Sequence, residues 1–202
     1  MVDRGRRRSF DRAAALHSAM EVFWAKGYDG ASLTDLTSAM GINPPSMYAA
    51  FGSKEDLFRE AVELYNAAEG KDIWSGIEQA TTARGAVEAM LHASAESYFQ
   101  PGKPRGCLVV LGALNAGANN TAICDMLRDM RAASVKHVRR RIERAMAQGE
   151  LPDTTDARAI ANFYISVQYG MSILARDGMS RKMLATVADS AMAAWDGLVA
   201  ST

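Results

Sequence analysis

The chain has 202 residues, 49% of them hydrophobic, and its 23 basic and 23 acidic side chains give a formal net charge of zero. That length suits one large or two small domains with a sizeable buried core. Two cysteines, Cys107 and Cys124, are too few for a disulfide framework, and the absence of any apolar run of about twenty residues excludes a membrane span.

The zero net charge hides an uneven spread. Arg4, Arg6, Arg7, Arg8 and Arg12 crowd the N-terminus, and a second basic run spans Lys136 to Arg144. Local patches of this kind steer a neutral protein toward a polyanion. The stretch "RRRSFDR" is reminiscent of a twin-arginine export signal. Asp11, Arg12, His17 and Glu21 interrupt the apolar stretch such a signal needs. The expectation is a reduced, cytoplasmic protein.

The whole chain reads helical, since no segment alternates with period two. A first helix is expected from Phe10 to Lys26, with Leu16, Ala19, Met20 and Phe23 on one face and Gly27 as its stop. "SLTD" has the form of a capping box, so a short second helix starts near Leu33 and ends before Gly41. Asn43 caps a third helix. Pro44 and Pro45 fall in its first turn, where a missing N–H costs nothing. Two short helices across a tight Gly-containing turn make a helix-turn-helix. Ser53 and Asp56 open a fourth helix, expected over 54–68. Further helices are expected over 83–99, 107–116, 121–148, 156–177 and 180–200. The 156–177 segment is apolar nearly all round, which predicts burial on both sides, the second side against another subunit. Ile165, Tyr169, Val187, Ala191 and Trp195 are the expected seam residues.

The run "ALHSAMEVFWAKGYDGASLTDLTSAMGINPPSMYAAFGSKEDLF" resembles the tetracycline-repressor-like (TetR) family of bacterial transcription regulators. The pattern is an apolar helix, Gly-Tyr, a Ser/Thr-capped helix, Gly-Ile, then Tyr48, Phe51 and Ser53-Lys54. Pro45 stands where glycine is frequent, and Ala31 where threonine is frequent. The resemblance implies an all-α homodimer. Residues 1–55, with a basic N-terminal arm, would form a three-helix helix-turn-helix domain that binds double-stranded operator DNA. Residues 56–202 would form a helical ligand-binding and dimerisation domain. Beyond helix lengths, only "PRGCLVV" in the second half carries the likeness, so the effector stays unnamed.

A recognition helix enters the major groove N-terminus first. Here its outward residues are expected to be Pro44, Pro45, Ser46 and Ala49, with Met47 and Phe51 inward. None of them is Arg, Asn or Gln, so specificity would lean on thymine methyls, on Ser46 and on DNA shape. Ser32 and Thr34 are further candidates on the second helix. Tyr48 and Lys54 would hold phosphates, as the matching residues do in the family, and Arg6, Arg7 and Arg8 would add phosphate or minor-groove contacts. The basic run at Lys136–Arg144 interleaves with Val135, Val138 and Ile142, so it reads as a solvated helix face.

Expected effector-pocket residues are Tyr98, Phe99, Leu111, Asn115, Met126, Met130, Phe163, Tyr164, Gln168 and Met171. Twelve methionines suit an adaptable cavity. The effector would be a small, apolar molecule that releases a repressor from DNA by way of the 54–68 helix. Two alternatives stand beside this. One is a helical ligand-binding or structural protein without DNA function. The other is a thiol-based redox or electrophile sensor through Cys107, whose thiol a helix start and Arg105 would push toward thiolate. Enzyme motifs are absent: there is no HExxH, GxSxG, Walker A or CxxC, and His17, His92 and His137 are isolated. No metal and no cofactor is expected.

Overall fold

A computed structural model describes residues 10–114 and 120–200. The candidate arm residues Arg6, Arg7 and Arg8, and the pocket candidate Asn115, lie outside them. Among the described residues there is no strand, and no helix is long and apolar enough to cross a membrane.

Asp11 starts the first helix by accepting from the N–H groups of Ala13 and Ala14, two of the donors every helix start leaves unpaired. Helix α1 spans Arg12–Gly30 and is broken at Gly27, whose φ of 72° leaves the helical region. Helices α2 (Leu33–Met40), α3 (Pro44–Phe51) and α4 (Lys54–Tyr65) come next, at the expected positions. Both capping boxes form: Ser32 with Asp35, and Ser53 with Asp56. Gly41 adopts a left-handed cap with φ 65°, which only glycine takes without steric cost.

Beyond α4 the expected single helix to residue 68 becomes a π-helical turn, Asn66–Gly70, and a further helix α5 (Lys71–Gln79). The sequence does not signal α5. No capping residue announces it, because the chain never leaves helical backbone angles between Tyr65 and Lys71. Then come α6 (Ala83–Ser97), α7 (Leu108–Leu111), α8 (Thr121–Ala147), α9 (Ala157–Arg176), α10 (Arg181–Met192) and α11 (Trp195–Ala200). Helix α7 is a single turn, shorter than expected. The expected 180–200 helix is two.

Buried side chains form two clusters. The first joins α1–α4 to Leu108, Val109, Ile123 and Leu127. The Phe23 and Phe58 rings meet edge-on at 4.9 Å in it, as do Trp24 and Tyr65. The second joins α5, α6, α9, α10, Trp195 and the C-terminal half of α8. Thus α7 and the start of α8, read from sequence as ligand-domain elements, pack on the N-terminal core.

The expected dimer seam needs correction. Ile165 is 2% exposed, Ala191 8% and Trp195 4%, all inside the protomer's second core. Tyr169 turns inward, its hydroxyl donating to the Arg131 carbonyl at 2.9 Å. Helix α9 is rotated relative to the sequence expectation. Its outward side carries Phe163 and Ile173, at 37% and 43% exposure, and on α10 Met183 is exposed at 52%. Of the seam candidates Val187 and Tyr169 stay half-exposed, and the Tyr169 hydroxyl is already engaged.

Candidate DNA-reading face and effector cavity

The turn between α2 and α3 is held by its own backbone. Gly41 N–H donates to Ser38 O and Ile42 N–H to Thr37 O. The Asn43 side chain accepts from Ser46 N–H at 2.9 Å, and Pro44 and Pro45 occupy the first turn. Met47 and Phe51 are buried, so α3 docks by those residues and leaves Pro44, Pro45, Tyr48 and Ala49 exposed and Ser46 half-buried. Tyr48, 45% exposed, stands free for a partner. Thr34 is also exposed. Ser32 is exposed, but its hydroxyl is engaged with Asp35.

Cations tie this unit together. Arg12 bonds the Ala50 carbonyl and Glu60, with its guanidinium 4.3 Å from the Phe51 ring centre. Lys54 does not project freely: its ammonium lies 4.5 Å from the Tyr28 ring centre, and partial burial lowers its pKa. Lys26 pairs with Asp35 at 2.6 Å. That ammonium, then the Ser32 hydroxyl and N–H, hold the Asp35 carboxyl at about 2, below its ordinary 3.8. A carboxylate with a lowered folded pKa stabilises above its ordinary value, and the contribution fades as pH falls through the folded value. Asp35→Asn is therefore expected to lower the urea midpoint at neutral pH. The gap from wild type should close as the pH drops toward 2.

A cavity of about 280 Å³ opens in the C-terminal half. Tyr65, Asn66 and Gly70 bound it at the end of α4 and the π-turn, with Ile73 and Trp74 from α5 beside them. Tyr98, Cys107, Val109 and Val110 form another wall, and Met130, Ala133, Ser134 and His137 of α8 face Gln168 and Tyr169 of α9. The lining is mostly apolar, with no carboxylate, lysine or arginine. Its polar atoms are largely engaged. Gln168 Nε2 donates to Ser94 Oγ at 2.8 Å, and Ser94 Oγ to the Met90 carbonyl at 2.7 Å. A neutral guest fits such walls, because a buried unpaired charge would be costly.

Of the expected pocket residues, Tyr98, Met130 and Gln168 line this cavity. The other described ones do not. Phe99 lies under the Arg105 guanidinium at 4.2 Å. Leu111 lines a separate cleft against Gly27 and Tyr28. Met126 sits against Arg59, and Met171 is enclosed in the second core. Phe163 faces outward, and Tyr164 is buried with its hydroxyl on the Ala191 carbonyl and its ring against Trp195. The α4–α5 wall is invisible to sequence reading, since the π-turn that places it carries no motif.

Cys107 is half-buried and faces the cavity. The expected thiolate stabilisation is absent. Burial pushes the thiol up, against weaker hydrogen bonding from Tyr65 and the Val110 and Val109 N–H groups. Arg105 is held over Phe99 instead, and the four-residue α7 has little dipole to offer.

The end of α1 is tied to the second half of the chain. Trp24 Nε1 donates to the Gly106 carbonyl at 2.9 Å, and Tyr28 N–H to Gly112 O at 2.7 Å. Arg176 of α9 donates to the carbonyls of Arg105, Ala25 and Trp24 at 2.9, 2.9 and 2.7 Å. It thereby caps the end of α1 from the second half of the chain. Among the described residues no group of three or more His, Cys, Asp or Glu is placed to hold a metal.

Residues 15–61 match the model of bacterial regulatory proteins, tetR family, and residues 76–196 that of the tetracyclin repressor-like C-terminal domain. The chain is 31% identical over 197 residues to the HTH-type transcriptional repressor ComR of Escherichia coli K12, covering 97% of this chain and 94% of that protein. It is 29% identical over 184 residues to the repressor BdcR of the same strain, covering 91% and 88%. Among solved structures, a cysteine mutant of the TetR family regulator CifR, complexed with 26-bp double-strand operator DNA, superimposes with a TM-score of 0.90. That alignment has 43% identity and covers 95% of this chain and all of the other, 100%. With both halves matched in order, the chain belongs to the TetR family of bacterial regulatory proteins.

Proposed function

We propose that the protein is a ligand-responsive repressor: a dimer reads a palindromic operator through α2 and α3 and is released by a small, neutral, mostly apolar effector. The observation that carries this is α4. Its first residue, Lys54, stands beside the reading unit, and its last, Tyr65, lines the cavity. One rigid helix touches both sites, so a guest that displaces Tyr65 alters the spacing of the two recognition helices. Only differential affinity for the two states is needed. The proposed division, residues 1–55 for reading and 56–202 for ligand and dimer, leaves α4 as the shared element.

Footprinting of DNA upstream of the coding sequence, over a range of salt concentrations, tests the reading. Protection of paired half-sites about one helical turn apart or slightly more, weakening with salt, is expected. A helical ligand-binding protein without DNA function would protect nothing. Linkage supplies the second arm: operator must weaken effector binding by the factor by which effector weakens operator binding. Equal effector affinity with and without operator refutes the coupling.

The dimer face we propose is the outward stripe of α9 and α10. Phe163→Glu or Ile173→Glu is expected to give folded monomers that lose operator affinity, as seen by sedimentation. Ile165→Glu would instead unfold the protomer, because that side chain is 2% exposed. A dimer undisturbed by both outward charges overturns the assignment.

One observation favours a second trigger: Cys107 opens onto the same cavity and shares a hydrogen bond with Tyr65, so an adduct there would press on the end of α4. The raised thiol makes it slow to react. Alkylation by iodoacetamide is expected to lag a free thiol at neutral pH and to climb as pH passes above the ordinary thiol range, since the thiolate is the nucleophile. Cys107→Ser should abolish release by such a reagent and spare release by an apolar effector.

A further inference from the structure

We propose that α3 reads its operator by the C5-methyl groups of thymine, through Pro44, Pro45 and Ala49, and not by hydrogen bonds to base edges. The proposal rests on the DNA-binding reading above and deepens it.

The outward side chains of α3 are apolar at the positions that enter the groove first. Pro44, Pro45 and Ala49 are exposed. Pro45 and Ala49 are four residues apart, so they lie one above the other on the same face. No Arg, Lys, Asn or Gln occurs between residues 44 and 51.

The structure adds what sequence could not show: of the polar groups near α3, all but the Thr34 and Ser46 hydroxyls are tied within the unit. Ser32 and Asp35 bond each other, and Asp35 also holds Lys26. Thr37 donates to the Leu33 carbonyl. The Asn43 oxygen holds Ser46 N–H. Arg12, packed on the end of α3, is clamped by Ala50 and Glu60. Using any of these on a base would break a cap or a tie within the unit.

In the major groove thymine alone presents a methyl group, and apolar contact with it distinguishes A·T from T·A and from both G·C orientations. Two prolines and an alanine form a stiff apolar surface with almost no side-chain entropy to lose. Such a surface suits methyls and gains nothing from a bare donor or acceptor. Tyr48, 45% exposed at the margin, remains for a phosphate.

The test uses the full-length protein and a site it selects from random duplex DNA. The duplex is remade with deoxyuridine for thymine, one position at a time, and binding is followed by fluorescence anisotropy. Each critical methyl is expected to be worth about three- to fourfold in affinity, from the burial of one carbon. Substituting the symmetric position in both half-sites should cost about tenfold. Thymines outside the α3 footprint should tolerate the change. Ala49→Gly should blunt the thymine dependence at the same positions, whereas Tyr48→Phe should weaken thymine and uracil duplexes alike. A duplex that binds tightly yet is indifferent to uracil overturns this proposal and leaves the repressor reading standing. Failure to select any duplex overturns both.

Discussion

Gly106→Ala should destabilise the chain by about 2–5 kcal/mol, the sum of a left-handed backbone cost and an overpacking cost. Gly106 has φ 78°, which L side chains rarely adopt. A Cβ there would sit 2.6 Å from the Ser172 carbonyl oxygen and 2.8 Å from a Leu111 methyl. The leucine methyl can swing aside, but the carbonyl belongs to α9 and cannot. Relief therefore means lifting the 105–112 segment away from α9. That movement would break the Trp24 bond to Gly106 and the Cys107 N–H bond to Ser172 Oγ, 2.8 Å long. Urea unfolding measures the loss. A change below about 1 kcal/mol would mean the segment is not pinned as described. The same variant should show a smaller Trp24 fluorescence change on effector binding, because its indole would no longer be anchored.

Arg176→Met is expected to cost about 2–3 kcal/mol, less than the sum of its charge-assisted bonds because water reaches some of the freed carbonyls. The more informative consequence is functional. Arg176 is the cation that fastens α9 to the end of α1, and methionine keeps the stem while removing the donors. Effector should still bind the cavity, since Arg176 is absent from its lining. Operator release should weaken, since one of the ties between cavity wall and reading unit is gone. Calorimetry for the effector and anisotropy for the operator separate these outcomes. If release is unchanged, coupling runs through α4 alone.

The N-terminal half is legible in the sequence because its signals are local. Ser32–Asp35, Asn43 with its prolines, and Ser53–Asp56 each state a helix start within four residues, and the structure forms all three caps. Helix α8 is legible from the spacing of Val138, Ile142 and Ala145, all buried. The cavity is much less so. Tyr98 and Gln168 stand out as polar or aromatic residues on buried faces, and both line it. Tyr65, Trp74 and Val110 do not, because their position depends on how α5 and α7 are placed in three dimensions. Helix α9 shows the limit most clearly. Apolar residues around nearly its whole circumference give no way to tell Phe163 from Ile165. One faces solvent and the other the core, and only the docking of α10 and Trp195 decides which.

The π-turn at Asn66–Gly70 is, in sequence terms, a matter of length more than of composition. One residue more than a regular helix needs has been absorbed there, and each residue rotates the downstream helix by about 100°. Upstream, Tyr65 turns toward the first core and the cavity. Downstream, Ile73 and Ile77 join the second core, and Trp74 meets the His137 ring at 5.5 Å. Because the wide turn takes up that rotation, deleting a single residue between 66 and 70 would restore a regular helix with the α5 face still toward its neighbours, narrowing the turn that borders the cavity while leaving every side chain of the reading unit in place. A family that varies its effector could do so by gaining or losing one residue at this point, a change that substitution scanning would never sample.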